Sequence, residues 1–127
     1  MKDEGRLKQY PLSIILSLLI WVVCLIPIPE TPLNEISFID KWTHFLMYAI
    51  LTMVILWERH KASNELKFLP ITLTIPILQG ILIELAQAYL TTCRSGDWFD
   101  ALCNTIGVLI GAIIFYLTNS KTKELTN

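Results

Sequence analysis

The stretch Phe68–Leu90, FLPITLTIPILQGILIELAQAYL, decides how the rest of the chain must be read. Its only formally charged side chain is Glu84. As an α-helix, at about 1.5 Å per residue, it is roughly 33 Å long, enough to cross the hydrocarbon core of a bilayer. A central acidic residue costs roughly 2.5–3.5 kcal/mol on insertion scales, and more if it faces lipid. Glu84 is therefore predicted to face other helices, either protonated or paired with a cation. Gly80, Glu84, Gln87 and Thr91 follow one another at i, i+4, i+7 and i+11, which makes them one face. Pro70 belongs in the first turn, and Pro76 is predicted to kink the helix.

Working outward, three more apolar blocks appear. Leu12–Ile28 carries no charge, Trp42–Trp57 is short, and Trp98–Leu117 carries Asp100 and Asn104 near its start. The reading is an all-α integral membrane protein, a four-transmembrane-helix bundle with helices at about 12–28, 41–57, 68–91 and 98–117. Short connections leave room for one domain, 1–127. Pro27, Pro29 and Pro32 end the first span, Arg94-Ser95-Gly96 makes a tight turn, and Glu58–Lys67 reads as a solvated loop. The exit Ile26-Pro27-Ile28-Pro29 has no small-x-small cleavage pattern, so the first span is read as retained.

Composition agrees. The 127 residues are 54% hydrophobic and 17% charged, with mean hydropathy +0.54. An ordinary soluble domain has about a quarter charged residues, and disorder needs far fewer apolar ones. A net charge of -1 excludes a basic nucleic-acid binder, and no nucleic-acid partner is expected.

Partitioning the charges orients the bundle. Lys2, Arg6, Lys8, Arg59, Lys61, Lys67, Lys121 and Lys123 fall on one side of a four-span topology, and only Lys41 and Arg94 on the other. Basic residues favour the cytoplasm. Both termini are therefore expected to be cytoplasmic. Acids at Glu30, Glu35, Asp40, Asp97 and Asp100 make the outer side negative.

In this orientation the polar residues of three spans gather at one level near the outer leaflet. Asp40, His44 and Tyr48 are spaced i, i+4, i+8 at the start of the second span, with Lys41 beside them. The Glu84 and Gln87 face ends the third. Asp97, Asp100, Asn104, Gly107 and Gly111 fall within about 80° of arc on the fourth. His44, Lys41 and Arg94 are the candidate partners of Glu84. Some of these residues have simpler readings. Gly107 and Gly111 form G-x-x-x-G, a close-packing motif, and Gln79 suits an interhelical hydrogen bond. Trp42, Trp57 and Trp98 suit interface anchors, and Tyr48 suits packing as well as ligand contact. Two or three polar residues would suffice for packing, so the full cluster of Asp40, Lys41, His44, Tyr48, Glu84, Gln87, Arg94, Asp97, Asp100 and Asn104 is read as a binding site. The three cysteines, Cys24, Cys93 and Cys103, lack metal or disulfide spacing, although a Cys93–Cys103 pair is sterically open. No metal site and no cofactor is expected.

These residues resemble the VanZ-like family of small bacterial membrane proteins over nearly the whole chain. Asp40-Lys41 with His44-Phe45 and Tyr48 is similar to the family's second-helix motif. Glu84-x-x-Gln87 is similar to its third-helix motif, and Arg94, Asp97, Asp100, Asn104 and Gly107 to its turn and fourth-helix motif. The resemblance implies an association with lowered susceptibility to teicoplanin-type lipoglycopeptides. It carries over no catalytic residue.

Three function classes follow. A binding or shielding protein would hold an outer-leaflet phospholipid, lipid-linked cell-wall precursor or lipoglycopeptide. Arg94, Lys41 and His44 would meet phosphate or carboxylate, and Asp and Asn would meet hydroxyls or amides. An enzyme acting on a lipid head group would use His44 with Glu84 or Asp100. A transporter would need a homo-oligomer, since four helices make a thin pathway, and the polar stripe fades below Glu84.

Overall fold

The computed structural model describes residues 8–27, 39–63, 69–92 and 96–126. They form four helices and, among these described residues, no strand: α1 (Pro11–Leu25), α2 (Ile39–Ser63), α3 (Leu69–Leu90) and α4 (Trp98–Thr126). Three helices, all but α1, are long and apolar enough to cross a membrane.

Helix α1 opens with Pro11, whose missing N–H costs nothing in a first turn. It ends at Leu25, three residues earlier than expected. Ile26 is extended, with φ -74° and ψ 149°. The cause is Pro27, which clashes with a helical residue before it. At 15 residues α1 falls short of the roughly 20 that a straight crossing takes. Helix α3 continues through Pro76.

The expected solvated loop at Glu58–Lys67 is corrected in its first half. Helix α2 runs on to Ser63, with neither Gly nor Pro to stop it, and residues 64–68 lie outside the described set. Glu58 is buried. Its carboxylate accepts the backbone N–H groups of Leu12 (2.9 Å) and Ser13 (3.0 Å) and the Ser13 hydroxyl (2.5 Å). Tyr10, at the N-cap, offers no side-chain cap. Glu58 thus caps α1 from across the bundle, matching orphan donors and the positive end of the helix dipole. Helix α4 likewise exceeds its expected end at residue 117. Its polar tail stays helical to Thr126, where Thr118 and Thr122 donate back to Ile114 O (2.9 Å) and Thr118 O (3.0 Å).

Helices α2 and α4 make the closest pair. A Cβ on Gly107 would strike the Phe45 carbonyl oxygen, and one on Gly111 would lie 2.5 Å from that of Ala49. The expected G-x-x-x-G packing is therefore intramolecular. Ile20, Cys24, Tyr48, Leu51, Ile83 and Val108 form the core. The outside is apolar too: Ile15, Leu18, Ile71, Ile75, Leu109 and Ile113 are all exposed. A helix apolar all round belongs in lipid rather than water. Gln79 packs as expected, accepting the Ser17 hydroxyl at 2.6 Å. The Gln87 amide donates to Cys24 O at 2.7 Å, fastening the end of α1 to α3. Cys24 and Cys103 form no disulfide, and Cys93 lies outside the described residues.

Two substitutions test this architecture in detergent by thermal unfolding. Gly107→Val must push α2 from α4 and is expected to cost about 1–3 kcal/mol through overpacking. Glu58→Ala strands the Leu12 and Ser13 N–H groups and is expected to cost about 1–3 kcal/mol, with part of the loss restored by Glu58→Gln.

Candidate functional site

The start of α2, the last turns of α3 and the start of α4 meet at one end of the bundle. Glu84, 6% exposed, accepts the backbone N–H of Asp97 on Oε2 at 3.0 Å. This contact needs Gly96, because a Cβ there would strike the Glu84 carbonyl and lie 2.8 Å from the Ala88 Cβ. Asp97 then caps α4: its Oδ1 accepts the Phe99 N–H at 2.9 Å. Its Oδ2 meets Lys41 Nζ at 3.1 Å, and the same ammonium reaches Asp100 Oδ1 at 3.2 Å.

His44 lies at the centre, 1% exposed. Its Nδ1 is 3.0 Å from Asn104 Oδ1 and 3.7 Å from Glu84 Oε1. Its Nε2 faces Asp40 Oδ1 at 3.7 Å and Asp100 Oδ2 at 3.8 Å. Asn104 is fully buried, with Nδ2 3.0 Å from where a Cβ on Gly80 would stand, so Gly80 makes room for it. Tyr48 lies one turn deeper, its hydroxyl buried without a hydrogen-bond partner.

Of the residues expected here, Asp40, Lys41, His44, Glu84, Asp97, Asp100 and Asn104 come together. Gln87 shares the α3 face but is taken up by the Cys24 carbonyl. Arg94 lies outside the described residues. Two residues escape a sequence reading, one in the cluster and one at the far end of α2. Gly96 reads only as a turn residue, with nothing to say that the turn presses on Glu84. Glu58 continues the buried α2 stripe of His44, Tyr48, Leu51 and Thr52 at helical spacing, a signal hidden by its charged neighbours.

The electrostatics are acidic. Asp40, Glu84, Asp97 and Asp100 surround one lysine, and that lysine is already shared by two of them. The described part of the cluster therefore favours cations and hydrogen-bond donors. His44, flanked by carboxylates on both nitrogens, is placed to hold or move a proton.

Asp97 stands outside the apolar spans. Its carboxyl is held below the ordinary carboxylate range by the Phe99 N–H and then by the Lys41 ammonium. It contributes stability above its unfolded pKa of about 3.9, and that contribution is lost as pH falls through the lower folded value. Asp97→Ala is expected to cost about 0.5–2 kcal/mol as a lost cap, and Asp97→Asn less. In both variants the acid-side fall in melting temperature is expected to be shallower than in the parent, read by thermal scans at stepped pH.

A family model described as VanZ/LLP1 matches residues 8–119. No curated protein matches the chain, and neither does any solved structure. The matched segment includes α1, α2, α3 and every residue of the polar cluster. With four helices, an apolar exterior and a family match over most of its length, the chain belongs to the VanZ-like family of membrane proteins.

Proposed function

We propose that the chain spans the bacterial cytoplasmic membrane with both termini inside. There it binds or shields the head group of an outer-leaflet lipid or lipid-linked envelope ligand, and so lowers susceptibility to teicoplanin-type lipoglycopeptides. The skew of lysine and arginine supports the orientation, which places the polar cluster at the outer face. One observation carries the binding role. Polar groups that only join helices are satisfied: Glu58, Gln79 and Gln87 all have partners. Around His44, by contrast, Glu84 Oε1 and Asn104 Nδ2 are buried without hydrogen-bond partners; of the other two such atoms among the described residues, the Tyr48 hydroxyl lies one turn deeper and His60 Nδ1 in the far part of α2. An unmatched buried group costs about 1–3 kcal/mol, so two beside one histidine suit a ligand better than packing.

The flanking of His44 by Glu84 and Asp100 favours a second reading, an enzyme acting on a lipid head group through acid–base chemistry. Conversion of a labelled phospholipid or lipid-linked precursor by purified protein would select it.

Native mass spectrometry of gently extracted protein tests the binding reading. The parent is expected to carry a co-purifying lipid that Glu84→Gln and Asn104→Ala lose while still inserting. In a susceptible host, both variants are expected to abolish any teicoplanin protection. Retained lipid and unchanged protection in both variants would reject the reading.

A further inference from the structure

We infer that Asp40, His44 and Asp100 hold a divalent cation at the mouth of the polar cluster, and that this ion receives the anionic oxygen of the bound head group. The cation site stands on geometry. Its use for a head group rests on the binding reading above.

Asp40, His44 and Asp100 each offer one ligand atom, and these atoms lie within 4.8 Å of one another. His44 Nε2 is 3.7 Å from Asp40 Oδ1 and 3.8 Å from Asp100 Oδ2. Both distances are too long for a hydrogen bond. They approach the separation of ligand atoms around one tetrahedral ion, about 3.4 Å for bonds of about 2.1 Å.

The other edge of the ring explains why an ion is wanted. Nδ1, 3.0 Å from Asn104 Oδ1, takes the donor role, so in the neutral imidazole Nε2 presents a lone pair. Among the described residues, that lone pair and two carboxylates then converge, with only the Lys41 ammonium, on Asp100 Oδ1, beside them. A divalent cation resolves that conflict.

Glu84 supplies the independent sign. It is 6% exposed, and Oε1 is buried without a partner 3.7 Å from Nδ1. A metal on Nε2 makes the Nδ1 proton more acidic, and metal-bound histidines regularly pair that N–H with a carboxylate or carbonyl. Asn104 Oδ1 stands in that position at 3.0 Å, and Glu84 Oε1, 3.7 Å from the same nitrogen, adds a negative charge beside it. Lys41 holds Asp100 by Oδ1, leaving Oδ2 for the ion. The Asp40 side chain is 62% exposed, so the mouth is open.

The ion also resolves a charge problem. Among the described residues, four carboxylates around one shared lysine repel a phosphate, whereas a cation with unfilled positions attracts one. One imidazole nitrogen and two carboxylate oxygens suit Zn²⁺ or Mn²⁺.

The test uses the full chain in detergent, stripped with EDTA and dialysed against Zn²⁺ or Mn²⁺, with bound metal counted by elemental mass spectrometry and affinity read by calorimetry. One ion per chain is expected. Asp40→Ala changes an exposed residue and leaves the core intact, so its folding is secure; it should weaken binding at least tenfold, as should His44→Ala and Asp100→Asn. Glu84→Gln should weaken it about 10- to 100-fold. Glu124→Gln, in the exposed tail of α4, should change nothing. A stripped protein that takes up no ion, or uptake indifferent to Asp40→Ala and Asp100→Asn, overturns the proposal. Lipid retention is measured in the same samples. Glu84-dependent lipid without metal leaves the binding reading standing and removes the cation. Metal that binds the parent and is weakened in the variants, with no lipid in any of them, keeps the site and removes the head group.

Discussion

A carboxylate buried in an apolar bundle has to be matched by donors, and Glu84 is matched on one oxygen only. Through Oε2 it holds the Asp97 N–H and so fixes where α4 begins against α3. Asp97 then caps α4 and draws in Lys41, which ties α2 to the same point. Three helices are thereby registered by a chain of contacts that starts at one side chain. Away from bulk water such contacts are strong when complete and costly when not. The other oxygen, facing His44, is the incomplete part.

The opposite end of α1 shows the same device finished. Glu58 reaches from α2 to the first turn of α1, and three donors occupy its two oxygens. Both acids meet the N-terminus of a neighbouring helix, where unpaired N–H groups and the dipole favour negative charge. What separates them is completion. Both oxygens of Glu58 are engaged, and its burial is explained by structure. Glu84 keeps an oxygen in reserve beside a histidine, an asparagine and two more carboxylates.

Close packing delivers the histidine to that place. Gly107 lies against the Phe45 backbone, next to His44, and one turn from Asn104. Without side chains on that face of α4, the helix axes approach far enough for Nδ1 and Oδ1 to meet at 3.0 Å. Gly80 opens the matching space on α3. The small residues thus serve the site as well as the bundle, and the apolar exterior keeps Glu84 and Asp100 directed inward.

Helix class, the long apolar spans and the α2, α3 and α4 faces bearing His44, Glu84 and Asn104 are legible in the sequence, because 3.6-residue periodicity and bilayer thickness act locally. The G-x-x-x-G contact is legible for the same reason. Pro27 marks the end of α1 in the sequence too, although hydropathy alone carries the span to Ile28, and the charged run after Trp57 obscures the length of α2. Sequence alone could not decide which oxygen of Glu84 is occupied, that Lys41 is spent on Asp97 and Asp100, that Gln87 serves Cys24, or that Glu58 caps a helix more than 40 positions away. Each of these depends on the distance between atoms of different helices, and interaxial packing sets that distance. The residues determined that a polar and negatively charged end would exist; only the tertiary structure decided which of its atoms are paired and which, around His44, are left without a partner.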